Sequence, residues 1–219
     1  MKEYKDYYLS KTYFDHMYTG MIGILMKLSH KKMEMINDKQ SIILEIGAGT
    51  KPHIEYLKHD FDEYHIVDLY DELNEFYKKF NKVKYKKYDG RILPFENNSF
   101  NRIIISHCLE HIPDPEQFLL EMFSKLKPSG ILSIALPNDP GILWRLGRSF
   151  GNLFINKHTH KMNKLENDYM NAKEHINSIF NLRTIIKKNF KNNLIERYEP
   201  FKIKSVDLNF FYIVNIIKK

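Results

Sequence analysis

The chain has 219 residues, 43% hydrophobic and 28% charged, which is typical of one globular domain. Its single cysteine, Cys108, excludes an internal disulfide and a cysteine-based zinc site, and no apolar run approaches the ~20 residues of a membrane helix. The net charge of +7 comes from lysines scattered along the chain, which favours a solvated basic surface, with attraction of an anionic substrate as the alternative.

The apolar pattern predicts strands and helices in alternation. Residues 1–37 have apolar residues at helical spacing and are predicted to be helical. Strands are predicted at 41–47, 64–70, 82–89, 100–106 and 131–137, and helices at 52–59, 71–80 and 115–127. After an irregular stretch at 138–172, the pattern predicts a helix at 173–190 and strands near 194–199 and 207–217.

This order of elements predicts an α/β fold: a doubly wound, mostly parallel seven-stranded sheet with helices on both faces. An antiparallel hairpin of the last two strands fits one sheet edge. We expect one domain with an N-terminal helical cover (1–38), a cofactor-binding core (39–137), a helical or loop insert on the substrate side (138–172), and a last helix with the hairpin (173–219).

Two glycines stand at the end of the first predicted strand: Gly47 is its last residue, and Gly49 lies two residues further on. They allow a tight backbone turn against a ligand, and the helix predicted at 52–59 would add unpaired N–H groups. Asp68 ends the second strand, where a carboxylate can accept both hydroxyl protons of an adenosine ribose. The alternatives are an ordinary tight turn and a surface aspartate that caps the next helix. Pro52 stands where a dinucleotide fingerprint has its third glycine, which disfavours a nicotinamide-dependent dehydrogenase.

Four segments, ILEIGAGT, YHIVDLY, DGRILPFENNSFNRIIISHCLEHIPDP and LKPSGILSIALPND, closely resemble class I S-adenosylmethionine-dependent methyltransferases. Within that class the chain is similar to the ubiquinone/menaquinone-biosynthesis-like group that acts on small molecules. The resemblance covers roughly residues 41–138 and implies S-adenosylmethionine as cofactor. Lys51 departs from the family, which usually has a glycine there.

The resemblance implies that eight residues bind this cofactor: Glu45, Gly47, Gly49, Asp68, Leu69, Asp89, Gly90 and His107. The first three would line the methionine end, and Asp68 would hold the ribose with Leu69 against the adenine. Asp89 would receive the adenine amino group, Gly90 would let the loop pass, and His107 would face the cofactor. A simple turn at Asp89 and Gly90 is the alternative.

Candidate catalytic residues are His111, His175 and Glu110. Histidine titrates in the range that suits a general base, and Glu110 can orient a histidine or accept a proton. A structural His111, bonded to a backbone carbonyl, is the alternative. His107 and His111 are four residues apart, but a metal site needs more ligands, so we predict no metal. Cys108 is expected to be a small buried apolar residue.

The insert contains His158 and His160, and by resemblance it roofs the substrate pocket. The candidate substrate-binding residues are Tyr18, Trp144, Arg145 and Arg148. Arginines there can bind a phosphate or carboxylate, whereas a solvated loop is the alternative. Tyr18 can equally belong to the core.

The sequence therefore predicts a cytoplasmic enzyme that methylates an oxygen or nitrogen of a small, anionic metabolite, such as a nucleotide-linked sugar or a surface-polysaccharide precursor. Its partner is this small molecule, not nucleic acid or a membrane, and a homodimer stays open. A nucleic-acid methyltransferase is one alternative, although the Asp/Asn-Pro-Pro-aromatic motif of base-amino methylation is missing. A non-catalytic interaction protein with a degenerate cofactor fold, favoured only by Lys51, is another.

Overall fold

The computed structural model describes residues 18, 20–34, 38–147, 165, 169 and 172–219. Its strands are β1 (Ile42–Ile46), β2 (Glu63–Asp68), β3 (Val83–Lys87), β4 (Phe100–Ser106), β5 (Leu126–Pro137), β6 (Leu194–Glu199) and β7 (Phe211–Ile217). They form one sheet in the order β3-β2-β1-β4-β5-β7-β6. The first five strands are parallel, and β7 pairs antiparallel with both β5 and β6. The predicted seven-stranded sheet with an antiparallel edge hairpin is confirmed.

Helices cover both faces of this sheet. They are α1 (Gly20–Met33), α2 (Leu73–Tyr77), α3 (Pro115–Lys125) and α4 (Ile179–Phe190), with short 3₁₀ turns at His53–Tyr56, Leu109–His111 and Lys191–Asn193. Apolar side chains of α3 and α4 pack on one face of the sheet, and those of α1 and α2 pack on the other. No helix of the described residues is long and apolar enough to cross a membrane.

The strand order reverses between β1 and β4, since β2 and β3 continue to one side and β5 to the other. In open α/β sheets, ligands bind at the carboxyl ends of the strands beside such a switch point. The loops after β1, β2, β4 and β5 therefore meet at the edge where the sequence places its candidate residues.

The prediction of a helix at 52–59 is wrong, because only a four-residue 3₁₀ turn forms there. Pro52 has no N–H, and the N–H of His53 donates to both carboxylate oxygens of Glu45, at 2.8 and 3.0 Å. The His53 side chain is buried, and Leu57 is already extended. The bond to Glu45 anchors the start of this turn, and the extended backbone at Leu57 ends it, so the regular helix expected at this loop is missing.

The structure also differs from the prediction at the start of β5, at the start of α4 and in residues 142–147. β5 begins at Leu126 rather than 131, so α3 ends at Lys125. α4 begins after Ser178, whose Oγ accepts the N–H of Asn181, instead of at 173. Residues 142–147, predicted to be irregular, are helical. The helix is interrupted before Ser178 because Asn177 bonds to another segment, donating its N–H to the carbonyl of Glu110 at 3.1 Å.

Candidate functional site

The glycine bend after β1 is held against the loop after β4. Gly47 and Gly49 have φ of +67° and +56°, in the left-handed region that favours glycine. A Cβ added to Gly47 would lie 2.5 Å from Sγ of Cys108. The bend and the 107–111 loop therefore pack together only because residue 47 has no side chain.

We expect Gly47→Ala to lower the free energy of unfolding by about 2 kcal/mol or more, through backbone strain and the clash with Cys108. Gly90→Ala is the matched control, because Gly90 also has positive φ (+83°) but no atom lies within 4 Å of an added Cβ. Urea unfolding of both variants measures the difference. Equal losses would contradict the packing argument.

Asp68 links the end of β2 to the glycine bend. Its Oδ2 accepts the N–H of Gly49 at 3.0 Å, and its Oδ1 accepts the N–H of Leu69 at 2.7 Å. The carboxyl is largely buried, and burial raises its pKa despite these hydrogen bonds. Asp68 does not cap α2, whose N-cap residue is Glu72. The acidic strand tip and the glycine bend are thus one structural unit.

Glu45 lies beneath the bend. Its carboxylate accepts the hydroxyl proton of Tyr64 at 2.7 Å, as well as the N–H of His53. Burial raises the pKa of Glu45 to about 7, against the effect of these hydrogen bonds. The side chain therefore supports the loop from inside, while a contact with the methionine end of the cofactor stays a prediction.

A buried ionic network connects α1 to this loop. The Glu34 carboxylate, just after α1, contacts Nη1 of Arg102 at 2.9 Å and Nε2 of His53 at 3.0 Å. Arg102 also donates to Nε2 of His59 at 3.1 Å. Burial alone would raise the pKa of Glu34, but the His53 hydrogen bond and the Arg102 charge hold it at about 2. The network fixes α1 on the sheet behind the bend.

His107 is held by α1. Its Nε2 lies 2.7 Å from Oγ of Ser29, whose own hydroxyl donates to the carbonyl of Met26, so His107 donates and Ser29 accepts. Burial lowers the pKa of His107 to about 4. Nε2 of His107 thus bonds to α1. Contact between the rest of the ring and the cofactor stays a prediction.

The expected adenine side is open to solvent. Leu69 is 52% exposed directly after β2. Asp89 is exposed, and its Oδ1 accepts the N–H of Arg91 at 3.1 Å. The simple turn that was the alternative for Asp89 and Gly90 is therefore present. The other carboxylate oxygen of Asp89, Oδ2, lies 3.7 Å from Nε of Arg91, so an adenine amino group would have to share Asp89 with this exposed ion pair.

Two histidines far apart in sequence meet beside Glu110, and we name Glu110, His111 and His175 the Glu–His–His cluster. The two rings pack edge to face with centroids 5.1 Å apart. Nδ1 of His111 lies 2.8 Å from the carbonyl oxygen of Glu174, and Nδ1 of His175 lies 2.8 Å from Oδ2 of Asp139. Each Nδ1–H thus donates to an oxygen, so each neutral ring has its lone pair on Nε2. The backbone-carbonyl bond foreseen for His111 exists, and it leaves the second nitrogen available.

The candidate substrate residues lie around this edge. Trp144 is half-buried against Phe211, and no described residue accepts its indole N–H. Arg145 is exposed. Tyr18 is half-buried, with Nζ of Lys51 5.7 Å from its ring centroid. Arg148, His158 and His160 lie outside the described residues.

The sequence interpretation missed Asp139 and Ser29. Asp139 follows β5, so a carboxylate at the carboxyl end of a central strand was a usable signal. Its partner His175 is 36 residues away, and no local pattern indicates that pairing. The cluster also replaces the His107–His111 pair considered from spacing, because Nε2 of His107 bonds to α1.

Comparison with known proteins places the chain in a family. A family described as a methyltransferase domain matches residues 13–194. Phosphoethanolamine N-methyltransferase 2 of Caenorhabditis elegans is 30% identical over 103 residues, 43% of this chain and 23% of that protein. Demethylmenaquinone methyltransferase of Lactobacillus johnsonii is 33% identical over 101 residues, 44% of this chain and 40% of that protein. The matches span less than half the length of either relative.

Among solved structures, a plantazolicin methyltransferase in complex with a monoazolic desmethylPZN analogue and SAH has a TM-score of 0.69. It is 14% identical, and the superposition covers 100% of this chain and 91% of that chain, so the likeness concerns the fold. The family match extends over most of the chain and agrees with this fold. The chain therefore belongs to the methyltransferase-domain family, with the S-adenosylmethionine-dependent fold and the cofactor that the sequence predicts.

Proposed function

We propose that this protein transfers a methyl group from S-adenosylmethionine to an oxygen or nitrogen of a small anionic metabolite. The observation that carries the proposal is the Glu–His–His cluster beside the glycine bend. Cys108 packs on Gly47, and His111 follows three residues later, so cluster and bend belong to one edge of the sheet. A cofactor on the bend would thus have proton-accepting groups nearby.

The residues of the bend fit an adenosyl cofactor. Gly47 and Gly49 turn the backbone tightly through positive φ, Asp68 presents a carboxylate at the strand tip, and Leu69 offers an exposed apolar side chain. Each carboxylate oxygen of Asp68 can accept a second hydrogen bond, so ribose hydroxyls can donate to it beside the backbone N–H groups, and an adenine can pack on Leu69. These features support the cofactor-binding roles that the resemblance implies.

We expect Asp68→Ala to weaken S-adenosylmethionine binding by about 2 kcal/mol, because charge-assisted hydrogen bonds to the ribose are lost. Asp71→Ala is the control, since Asp71 is a nearby exposed aspartate paired with Lys87 at 2.8 Å. Calorimetric titration of both variants measures the change. Unchanged affinity in Asp68→Ala would refute the ribose assignment.

The bound cofactor supplies an electrophilic methyl on a sulfonium with a neutral leaving group. The protein must align the acceptor with this methyl and exclude water, and positioning alone can supply up to ~7–11 kcal/mol. An acceptor O–H or N–H must also lose its proton. Nε2 of His175 and Nε2 of His111 are suited to accept it, because Asp139 and the Glu174 carbonyl hold the opposite ring nitrogens.

The positive charge of the chain and the name of one of its relatives both favour an anionic substrate. Arg145 is exposed near Trp144, Lys51 lies at the bend, and the chain carries a net charge of +7. One relative is named for phosphoethanolamine, a phosphorylated amine. A nucleotide-linked sugar or another surface-polysaccharide precursor stays our more specific proposal, with phosphorylated amines as the second group to test. Cytoplasmic location and a homodimer stay predictions.

Methyl transfer from isotopically labelled S-adenosylmethionine to a panel of small molecules tests this function. The panel pairs each phosphorylated or carboxylated compound with its neutral counterpart. We expect label in anionic members and formation of S-adenosylhomocysteine in equal amount. Cofactor binding without transfer to any member, or transfer only to neutral members, would contradict the proposed substrate class.

A further inference from the structure

The Glu–His–His cluster has the composition of a metal site. One ligand atom from each of Glu110, His111 and His175 lies within 4.8 Å of the other two. Nε2 of His111 is 3.9 Å from Oε1 of Glu110. Bonds of about 2.0–2.1 Å around a tetrahedral ion place ligand atoms roughly 3.3 Å apart. An ion would therefore draw the ligand atoms together through rotation of the His111 and His175 side chains, which are both partly exposed.

Both imidazoles are oriented as metal ligands usually are. A metal-bound histidine normally donates its other N–H to a carboxylate or a backbone carbonyl. His175 donates to the Asp139 carboxylate and His111 to the Glu174 carbonyl, each at 2.8 Å. Both Nε2 lone pairs are thereby free for an ion.

Glu110 provides a second, independent sign of a missing ligand. The residue is 3% exposed, and its Oε2 is buried without a hydrogen-bond partner among the described residues. An unpaired buried carboxylate costs several kcal/mol. A bound cation would offset this cost, whereas a purely structural role leaves Oε2 unexplained.

The two segments that carry the cluster are fixed to each other. Asn177 donates its backbone N–H to the carbonyl of Glu110 at 3.1 Å and its side-chain amide to the carbonyl of Ile112 at 2.6 Å. The turn that carries His111 is closed by its N–H, which donates to the carbonyl of Cys108 at 3.0 Å. The ligand geometry therefore does not depend on an unsupported loop.

We propose that Glu110, His111 and His175 bind one divalent transition-metal cation. Two imidazoles and one carboxylate suit Zn²⁺, Fe²⁺ and their neighbours, whereas Mg²⁺ and Ca²⁺ prefer all-oxygen sites. Three protein ligands leave a position open. The sequence alone predicts no metal, because spacing pairs only His107 with His111 and a metal site needs more ligands. No local pattern indicates that His175 lies beside His111.

The cation would also serve the proposed function. An acceptor oxygen or nitrogen at the open position would lose its proton more readily, as metal-bound water does. The ion would then replace the histidines in promoting this proton loss. This consequence rests on the proposed function, whereas cation binding itself rests on the geometry of the cluster.

Calorimetric titration of the tag-free protein with Zn²⁺, and visible absorption with Co²⁺, tests the site. We expect one ion per chain, and binding weakened about tenfold or more in His175→Gln, His111→Gln and Asp139→Asn. His65→Gln is the control, because His65 also bonds a carboxylate, that of Glu63 at 3.0 Å, but lies outside the cluster. An equal concentration of Mg²⁺ should not compete.

Equal Zn²⁺ binding by wild type and His175→Gln, or no binding at all, would overturn the proposal, as would effective competition by Mg²⁺. Titration with S-adenosylmethionine, run on the same samples, checks that each variant is folded. A protein that binds Zn²⁺ through the cluster but methylates nothing would refute the proposed function and leave the metal site standing. Methyl transfer without Zn²⁺ binding would refute the metal site and leave the proposed function standing.

Discussion

Replacing Glu34 by alanine is expected to lower the free energy of unfolding by about 3–5 kcal/mol, the typical loss when one partner of a buried ion pair is removed. Arg102 is fully buried and keeps its charge, so the variant leaves that charge without its carboxylate at 2.9 Å. His53 loses its Nε2 partner as well. Urea unfolding measures the change.

Glu63→Ala is the control for this prediction. Glu63 pairs with Lys84 at 2.8 Å, but both side chains are substantially exposed, so the expected loss is much smaller than that of Glu34→Ala. A double variant that replaces the buried pair, Glu34→Leu with Arg102→Met, should recover much of the stability lost in Glu34→Ala. Similar small losses for Glu34→Ala and Glu63→Ala would contradict the buried network.

The stabilising effect of Glu34 should also depend on pH. Its pKa is about 2 in the folded chain, below the ~4.3 of a free glutamate. A lowered folded pKa adds stability above the unfolded value, and that stability is lost as the pH falls toward the folded value. The difference between wild type and Glu34→Gln should thus be full at neutral pH and smaller at about pH 3. A difference that grows on acidification would reverse the assigned sign.

Replacing His175 by alanine is expected to lower kcat by about 10²-fold or more, because the group that promotes proton loss from the acceptor is removed. Asp139 bonds the Nδ1 side of this ring, so Nε2 is the nitrogen that acts. His111→Ala should behave alike. Affinity for S-adenosylmethionine should stay unchanged, since the hydrogen bonds of the two rings go to Glu174 and Asp139 rather than to Asp68 or the glycine bend.

Steady-state kinetics with an acceptor found in the panel, together with calorimetric titration of the cofactor, measures both effects. His65→Ala is the control, because His65 lies on β2 away from the cluster and should retain full turnover. Full turnover in both His111→Ala and His175→Ala would show that another group handles the proton. Lost cofactor affinity would instead indicate a structural effect on the bend.

The prediction of individual elements succeeded where the signal was local. β4 and β6 have the predicted bounds of 100–106 and 194–199, because continuous or alternating apolar residues identify a strand without reference to the rest of the chain. The helix at 52–59 failed for the opposite reason. His53 is buried and bonds to Glu45, and the chain is extended again at Leu57, features that no local pattern reveals.

By itself, the sequence determined the parallel sheet, the glycine bend and the acidic tip of β2. Their spacing along the chain is enough, since strands of a doubly wound sheet end at one edge. Only the tertiary structure decided which distant side chains meet there. It joined Glu34 to Arg102 across 68 positions and placed His175 beside His111, 64 positions away. Such pairs form because folding brings separate segments together, and charge or ring chemistry at one position does not specify its partner.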